Sequence, residues 1–448
     1  MSDGVGNLPR AASAATQRGA SGPAGPVTLL LTHADQLVTA AGFSASPATG
    51  ADLARLGVVE DGAVAVAGDR IVAVGETAQV ERSVQLARGA RVLDARGRTV
   101  LPGFVDPHTH LVYAGERSAE LPLRLRGAGY LEILRSGGGI LGTVAATREA
   151  SEDALAAATR TRLDTALRYG TTTLEIKSGY GLDTATELKQ LRAAERAAEG
   201  HAVKTVRTFM GAHAVPPEHR NDPQRFVDLV AEQMVPAVAE AGLAAFCDVF
   251  CEQGVFTPAQ SRRVLEAGLA GGMRPKLHAD ELAASGGAEL AAELRAVSAD
   301  HLVHATGEGL AALAAGGVVA VLLPGTTFSL MGTRYAPARR MIEAGVAVSL
   351  ATDANPGSSP TESMQMILNL ACLQLRLSPE EAILAATVNA AHALDLAHEV
   401  GSLEVGKRAD LVIYDAPGYG YLPYHYGTNL AAAVVAGGRV AWERAVAR

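Results

Sequence analysis

Two textures of apolar and polar residues alternate along this chain. From Val27 to about Gly103 they change places in short runs, VTLLLTHADQLVTA, GAVAVAGDRIVAVGE and RVLDARGRTVLPG, punctuated by Gly-Asp and Arg-Gly steps. A period near two between turn-forming residues predicts half-buried strands. After Gly401 the same texture returns in GSLEVGKRADLVIYD and LAAAVVAGGRVAWE. Both chain ends, residues 27–102 and 401–448, are therefore expected to build one small β-sandwich domain around a central domain spanning residues 103–400.

The centre instead alternates apolar runs with helical stretches, which predicts a parallel sheet closed or flanked by helices. Eight strand candidates stand out: VLPGFVDPH, TTTLEIKS, VRTFMGAH, AFCDVFCE, RPKLHAD, AVSADH, VVAVLLPG and VAVSLATD. Eight is the number of a TIM barrel, so the fold class is α/β with a (β/α)8 barrel. Helices are expected at Ser151 to Tyr169, Thr184 to Glu199, Asp222 to Ala241 and Pro258 to Ala270. A last one, Ser378 to Leu394, opens on a capping box with proline at its first position. Between the first two strands, Gly137 to Gly139 predict a mobile loop over the site. A phosphate cradle there is disfavoured because no Lys-Ser/Thr pair follows the glycines.

Composition narrows the function. At 448 residues and 48% hydrophobic the chain can bury a large core, and its net charge of −8 comes without any basic cluster. Nucleic acid and anionic membrane are thus poor partners, and a small-molecule substrate is the better one. Cys247, Cys251 and Cys372 are too few and odd in number for a disulfide framework. No stretch reaches the ~18 apolar residues of a membrane span. The first 26 residues, rich in Gly, Ala and Ser, lack the apolar core of a secretory signal. They are expected to be a flexible extension of a cytoplasmic protein.

Catalytic groups of such barrels come from the C-terminal ends of the strands. Read in order, those ends carry His108 and His110, Lys177 with Tyr180, His213, Glu252, His278, His301, Pro324 and Asp353. In an extended segment residues i and i+2 share a face, so His108 and His110 can grip one ion. Two surface histidines would be the plain alternative. With His278 from the fifth strand and Asp353 from the eighth they make an N3O set suited to a catalytic Zn2+ or Fe ion, one per chain, with a position open for water. Metal-activated hydrolysis follows. His301 is read as catalytic, and Glu281, three residues after His278, as a proton carrier.

Those residues lie in stretches that resemble the imidazolonepropionase family of the amidohydrolase superfamily: GFVDPHTHLVYAGER, KSGYGL, TFMGAHAVPPE, DVFCEQGVF, KLHADEL, SADHL, LLPGTTFSLM and ATDANPGSSPTESM. The resemblance runs from about Val27 to the end. It implies that His108, His110, His278 and Asp353 bind Zn2+ or Fe3+, and that Arg117, Tyr180, His213, Glu281, Asn355, Gly357 and Ser358 surround the substrate. A propionate substrate suits Arg117 independently, since a guanidinium grips a carboxylate with two parallel hydrogen bonds.

The implied reaction is hydrolysis of the lactam C–N bond of 4-imidazolone-5-propanoate to N-formimidoyl-L-glutamate, the third step of histidine degradation. Metal-activated water attacks the ring carbonyl, with Asp353 taking its proton, His301 polarising the attacked group and Glu281 serving the ring nitrogens. A homodimer is the expected assembly. Three alternatives remain. A mononuclear deaminase of the same superfamily acting on a nitrogen heterocycle shares the metal set but should lack a carboxylate-binding arginine. A binuclear dihydropyrimidinase-like enzyme needs a bridging carboxylated lysine, whereas strand four ends in Cys251-Glu252. A catalytically dead barrel would serve as a scaffold.

Overall fold

The computed structural model describes residues 17–18, 25–127 and 138–445. Eight parallel strands, each paired with the next, form the central sheet: Phe104–Asp106 (β1), Thr171–Lys177 (β2), Lys204–Ala212 (β3), Phe246–Cys251 (β4), Arg274–Ala279 (β5), Ser298–His301 (β6), Val319–Leu322 (β7) and Val348–Leu350 (β8). Every expected strand is present. The last seam closes just beyond the strand ends. Asp106 accepts hydrogen bonds from the Thr352 N–H (3.0 Å) and Oγ1 (2.6 Å). The Asp353 N–H then donates to the His108 carbonyl (3.0 Å), and the His110 N–H donates to the Ala354 carbonyl (2.9 Å). Backbone pairing at the seam thus fixes the register of His108, His110 and Asp353.

One expected strand divides. The run VLPGFVDPH supplies Thr99–Pro102 to a second sheet and Phe104–Asp106 to the barrel. Gly103 stands at the crossing, where a Cβ would lie 2.2 Å from Thr172 Oγ1. Only glycine lets the chain pass so close.

The second sheet is mixed and drawn from both chain ends. Val27–Val38 pairs along one edge with Val58–Ala67 and shares its other edge between Leu86–Asp94 and Thr99–Pro102. This branching folds the sheet over its own core of Leu31, Leu37, Val64, Ile71, Val100, Leu411 and Ile413, so the expected sandwich is one continuous sheet. Thr99–Pro102 pairs with Leu411–Tyr414 from the far end of the chain. Gln17–Arg18 adds a short strand beside Arg70–Glu76; apart from this pair and residues 25–26, the N-terminal extension lies outside the described residues.

Helix boundaries follow their caps. Ser151 and Asp183 each accept a backbone N–H at helix starts, and Thr257 and Ser378 form full capping boxes. The expected Asp222 to Ala241 helix holds a π turn at Val230–Met234. Pro236, lacking an N–H, cannot complete the α ladder there. The expected Ser378 to Leu394 helix is two, Pro379–Ala385 and Val388–His392. The Ala386 carbonyl accepts the Val105 N–H of β1 (3.0 Å) where a continuous helix would require its own. Gly139 opens the helix Gly139–Glu149, whereas Gly137 of the expected mobile loop lies outside the described residues. Among the described residues no helix is long and apolar enough to cross a membrane.

The two sheets meet at Gly170, whose φ of +97° is left-handed and whose Cβ would fall 2.6 Å from Tyr414 Oη. Gly170→Ala is expected to lower stability by about 1–3 kcal/mol through backbone strain and overlap. A lower chemical-denaturation midpoint at unchanged slope confirms it; an unchanged midpoint shows that Tyr414 yields freely.

Candidate metal centre

His108 and His110 follow β1 with Thr109 between them, and Thr109 Oγ1 turns away to bond the Glu175 carbonyl. His278 lies in β5, and Asp353 follows β8. All four side chains are buried. The His110 Nε2 lies 3.3 Å from His108 Nε2 and 3.3 Å from His278 Nε2. Asp353 Oδ1 stands 3.5 Å from His108 Nε2 and 3.6 Å from His110 Nε2. Ligands about 2.0–2.1 Å from a tetrahedral zinc ion lie roughly 3.3–3.4 Å from one another. These four separations match, and His278 also groups with His108 and His301.

Protonation also matches. His108 Nδ1–H donates to Asp300 (2.6 Å), and His278 Nδ1–H donates to Asp248 (3.1 Å). Each proton is thereby fixed on Nδ1, which leaves the His108 and His278 Nε2 lone pairs facing His110 Nε2. His110 Nδ1 has no hydrogen-bond partner among the described residues; with the His110 proton there, three lone pairs converge and repel unless a cation lies between them. Burial, with neighbouring positive groups, holds His108 and His110 well below the ordinary histidine range, so both are neutral donors. Asp353 Oδ2 accepts from Thr326 Oγ1 (2.6 Å), which turns Oδ1 toward the histidines.

The other expected residues ring this quartet. His301 Nε2 lies 3.6 Å from Glu281 Oε2. Burial, then Asp353 and Glu252, pushes the Glu281 carboxyl up to about 8. His213 stacks on His110 with ring centroids 5.0 Å apart and donates its Nδ1–H to the Gly179 carbonyl (3.0 Å). Burial and His278 push His213 down to about 3. Tyr180 packs against both rings. Asn355 braces the strand-eight loop: its Nδ2 donates to the Asp353 carbonyl and Ser358 Oγ, and its Oδ1 accepts the Gly357 and Ser358 N–H groups. Arg117 gives Nε and Nη2 to Glu120 (2.8 and 2.9 Å) and lies flat under Gly357, where a Cβ would be 2.1 Å from Nη1.

Comparison with known proteins agrees with this architecture. Residues 99–440 match the amidohydrolase family model. An imidazolonepropionase from Geobacillus kaustophilus is 55% identical over 413 residues, covering 92% of this chain and 97% of that protein. One from Alkaliphilus metalliredigens is 50% identical over 414 residues, covering 92% and 98%. The chain belongs to the imidazolonepropionase family of amidohydrolases. Among solved structures, a zinc-bound adenosine deaminase from Xanthomonas campestris aligns with a TM-score of 0.66 at 21% identity, covering 93% of each chain. E. coli guanine deaminase gives 0.67 at 16%, covering 93% and 99%. At those identities the likeness concerns the fold.

Sequence reasoning missed the groups beneath the quartet. Asp248 and Asp300 hold histidine rings, Thr326 turns Asp353, and Glu187 accepts the N–H groups of Gly179, Gly181 and Leu182 to shape the Tyr180 loop. Lys177, noted only as a strand end, lies among Glu175, Asp248 and Asp300. A signal existed: Glu175/Lys177, Lys276/His278 and Ser298/Asp300 are polar i, i+2 pairs within strands and therefore face one side. His301 escapes that alternation because its φ of +72° swings it from the strand path.

Protein purified without added metal is expected to carry close to one ion per chain by elemental analysis, and His278→Ala to lose both ion and activity. A fully active preparation without metal would refute the site.

Proposed function

We propose that this chain hydrolyses the ring lactam of 4-imidazolone-5-propanoate to N-formimidoyl-L-glutamate, using one Zn2+ or Fe3+ held by His108, His110, His278 and Asp353. The observation that carries this reading is the convergence of three Nε2 atoms and one carboxylate oxygen, in a chain half identical to named imidazolonepropionases. An ion there supplies Lewis acidity, polarising the carbonyl and easing deprotonation of water.

The chain's own groups do the rest. Asp353 takes a proton from the attacking water as the new C–O bond forms. His301 stabilises charge on the carbonyl oxygen. Glu281, with its raised pKa, donates a proton to the departing ring nitrogen as the C–N bond breaks. Arg117, held by Glu120, binds the propionate, while Tyr180, His213, Asn355, Gly357 and Ser358 wall the pocket. The setting that fits is small-molecule metabolism in the cytoplasm, as a homodimer, without nucleic-acid or membrane partners. Incubation with imidazolonepropionate should yield N-formimidoyl-glutamate and no ammonia. Ammonia released from a nitrogen heterocycle would favour the deaminase alternative.

Arg117→Lys keeps the charge but loses the two-pronged grip, so kcat/KM should fall roughly 10- to 100-fold while metal content stays intact. Parental kinetics would mean that the carboxylate binds elsewhere. Glu281→Gln preserves shape and removes the titrating group, so kcat should drop by about two to four powers of ten with KM much less changed. A raised KM with near-normal kcat would reduce Glu281 to a binding residue.

A further inference from the structure

Nothing in the proposed reaction uses Lys177. Its side chain is fully buried, and its Nζ lies 2.6 Å from Asp248 Oδ2, 2.9 Å from Glu175 Oε2 and 3.5 Å from Asp300 Oδ2. Two of those carboxylates are the ones that orient histidines. Asp248 reaches the His278 Nδ1 and backbone N–H through its other oxygen, Oδ1. Asp300 meets the His108 Nδ1 through the same oxygen that faces Lys177. One ammonium on β2 thus joins carboxylates on β4 and β6 that hold rings on β5 and just after β1.

We propose that Lys177 is a positioning residue for the metal centre, fixing Asp248 and Asp300 and through them the His278 and His108 rings. The inference rests on the metal reading of the quartet. Charge neutralisation alone is a weaker account, because the barrel contains a second buried lysine that balances charge without a hydrogen bond to either ring-holding carboxylate. Lys276 binds Glu175 (2.9 Å) and the Pro107 carbonyl (3.0 Å), and neither contact is a carboxylate holding a ring. Lys177 instead occupies the point where both ring-holding carboxylates meet. Without it, two buried like charges face each other, and each is free to turn away from its imidazole. Groups behind metal ligands typically change metal affinity 10- to 100-fold when removed.

The test uses full-length protein. Lys177→Met should weaken zinc binding by about 10- to 100-fold in chelator competition and alter the visible spectrum of the cobalt-substituted protein. Adding Glu175→Gln returns the barrel to its parental net charge without touching either ring-holding carboxylate. The double variant should recover metal-free thermal stability while zinc affinity stays low. Parental affinity and cobalt spectrum in folded Lys177→Met, or recovery of both in the double variant, would overturn the proposal. If the single variant does not fold, the double variant decides alone. Failure of the parent to bind zinc or cobalt would refute the metal reading itself.

Discussion

Charge kept in balance inside a barrel is the constraint on which the rest of this molecule depends. Two ammonium groups, Lys177 and Lys276, and three carboxylates, Glu175, Asp248 and Asp300, lie buried where most barrels place branched aliphatic side chains. Each unpaired ion there would cost several kcal/mol in lost hydration, so none can be removed alone without consequence. The array is also connected. Glu175 touches both lysines, and Asp248 and Asp300 pass the order upward into two imidazoles.

The same site joins the barrel's two ends in the chain. β1 and β8 are brought together by residues that include His108, His110 and Asp353, so closing the sheet also sets three of the quartet side by side. Left-handed backbone at Asp280, His301 and Asp353 marks where the chain turns out of β5, β6 and β8 at the site. Such strain gathers at functional sites because surrounding structure holds it in place. Here the surroundings are hydrogen bonds from Thr326 to Asp353 and from Asn355 along its loop.

Much of this was legible in the sequence. Apolar runs bounded by polar or turn-forming residues marked all eight strands, because strand periodicity is local, and six of those runs end in His, Glu or Asp. The supporting layer was not legible. Asp248 and Asp300 read as ordinary polar residues within strands, and their partners lie 30 and 192 positions away. The break after Ala385 was hidden for a similar reason, since the competing hydrogen bond comes from Val105. Arg117 was read as a fork for the substrate carboxylate, and Glu120, three residues on, was not seen to occupy one edge of it.

The placement of Leu411–Tyr414 beside Thr99–Pro102 has a consequence for how the protein is made. On the ribosome the N-terminal strands emerge first, yet the neighbour that covers their outer edge is translated only after the whole barrel. At ~5–20 residues per second the roughly 300 intervening residues take about 15–60 s. Throughout that interval a nascent chain exposes an unpaired, apolar strand edge of the kind that recruits other chains. Synthesis therefore passes through a stage in which that edge stays open to other chains until Leu411–Tyr414 arrives to cover it.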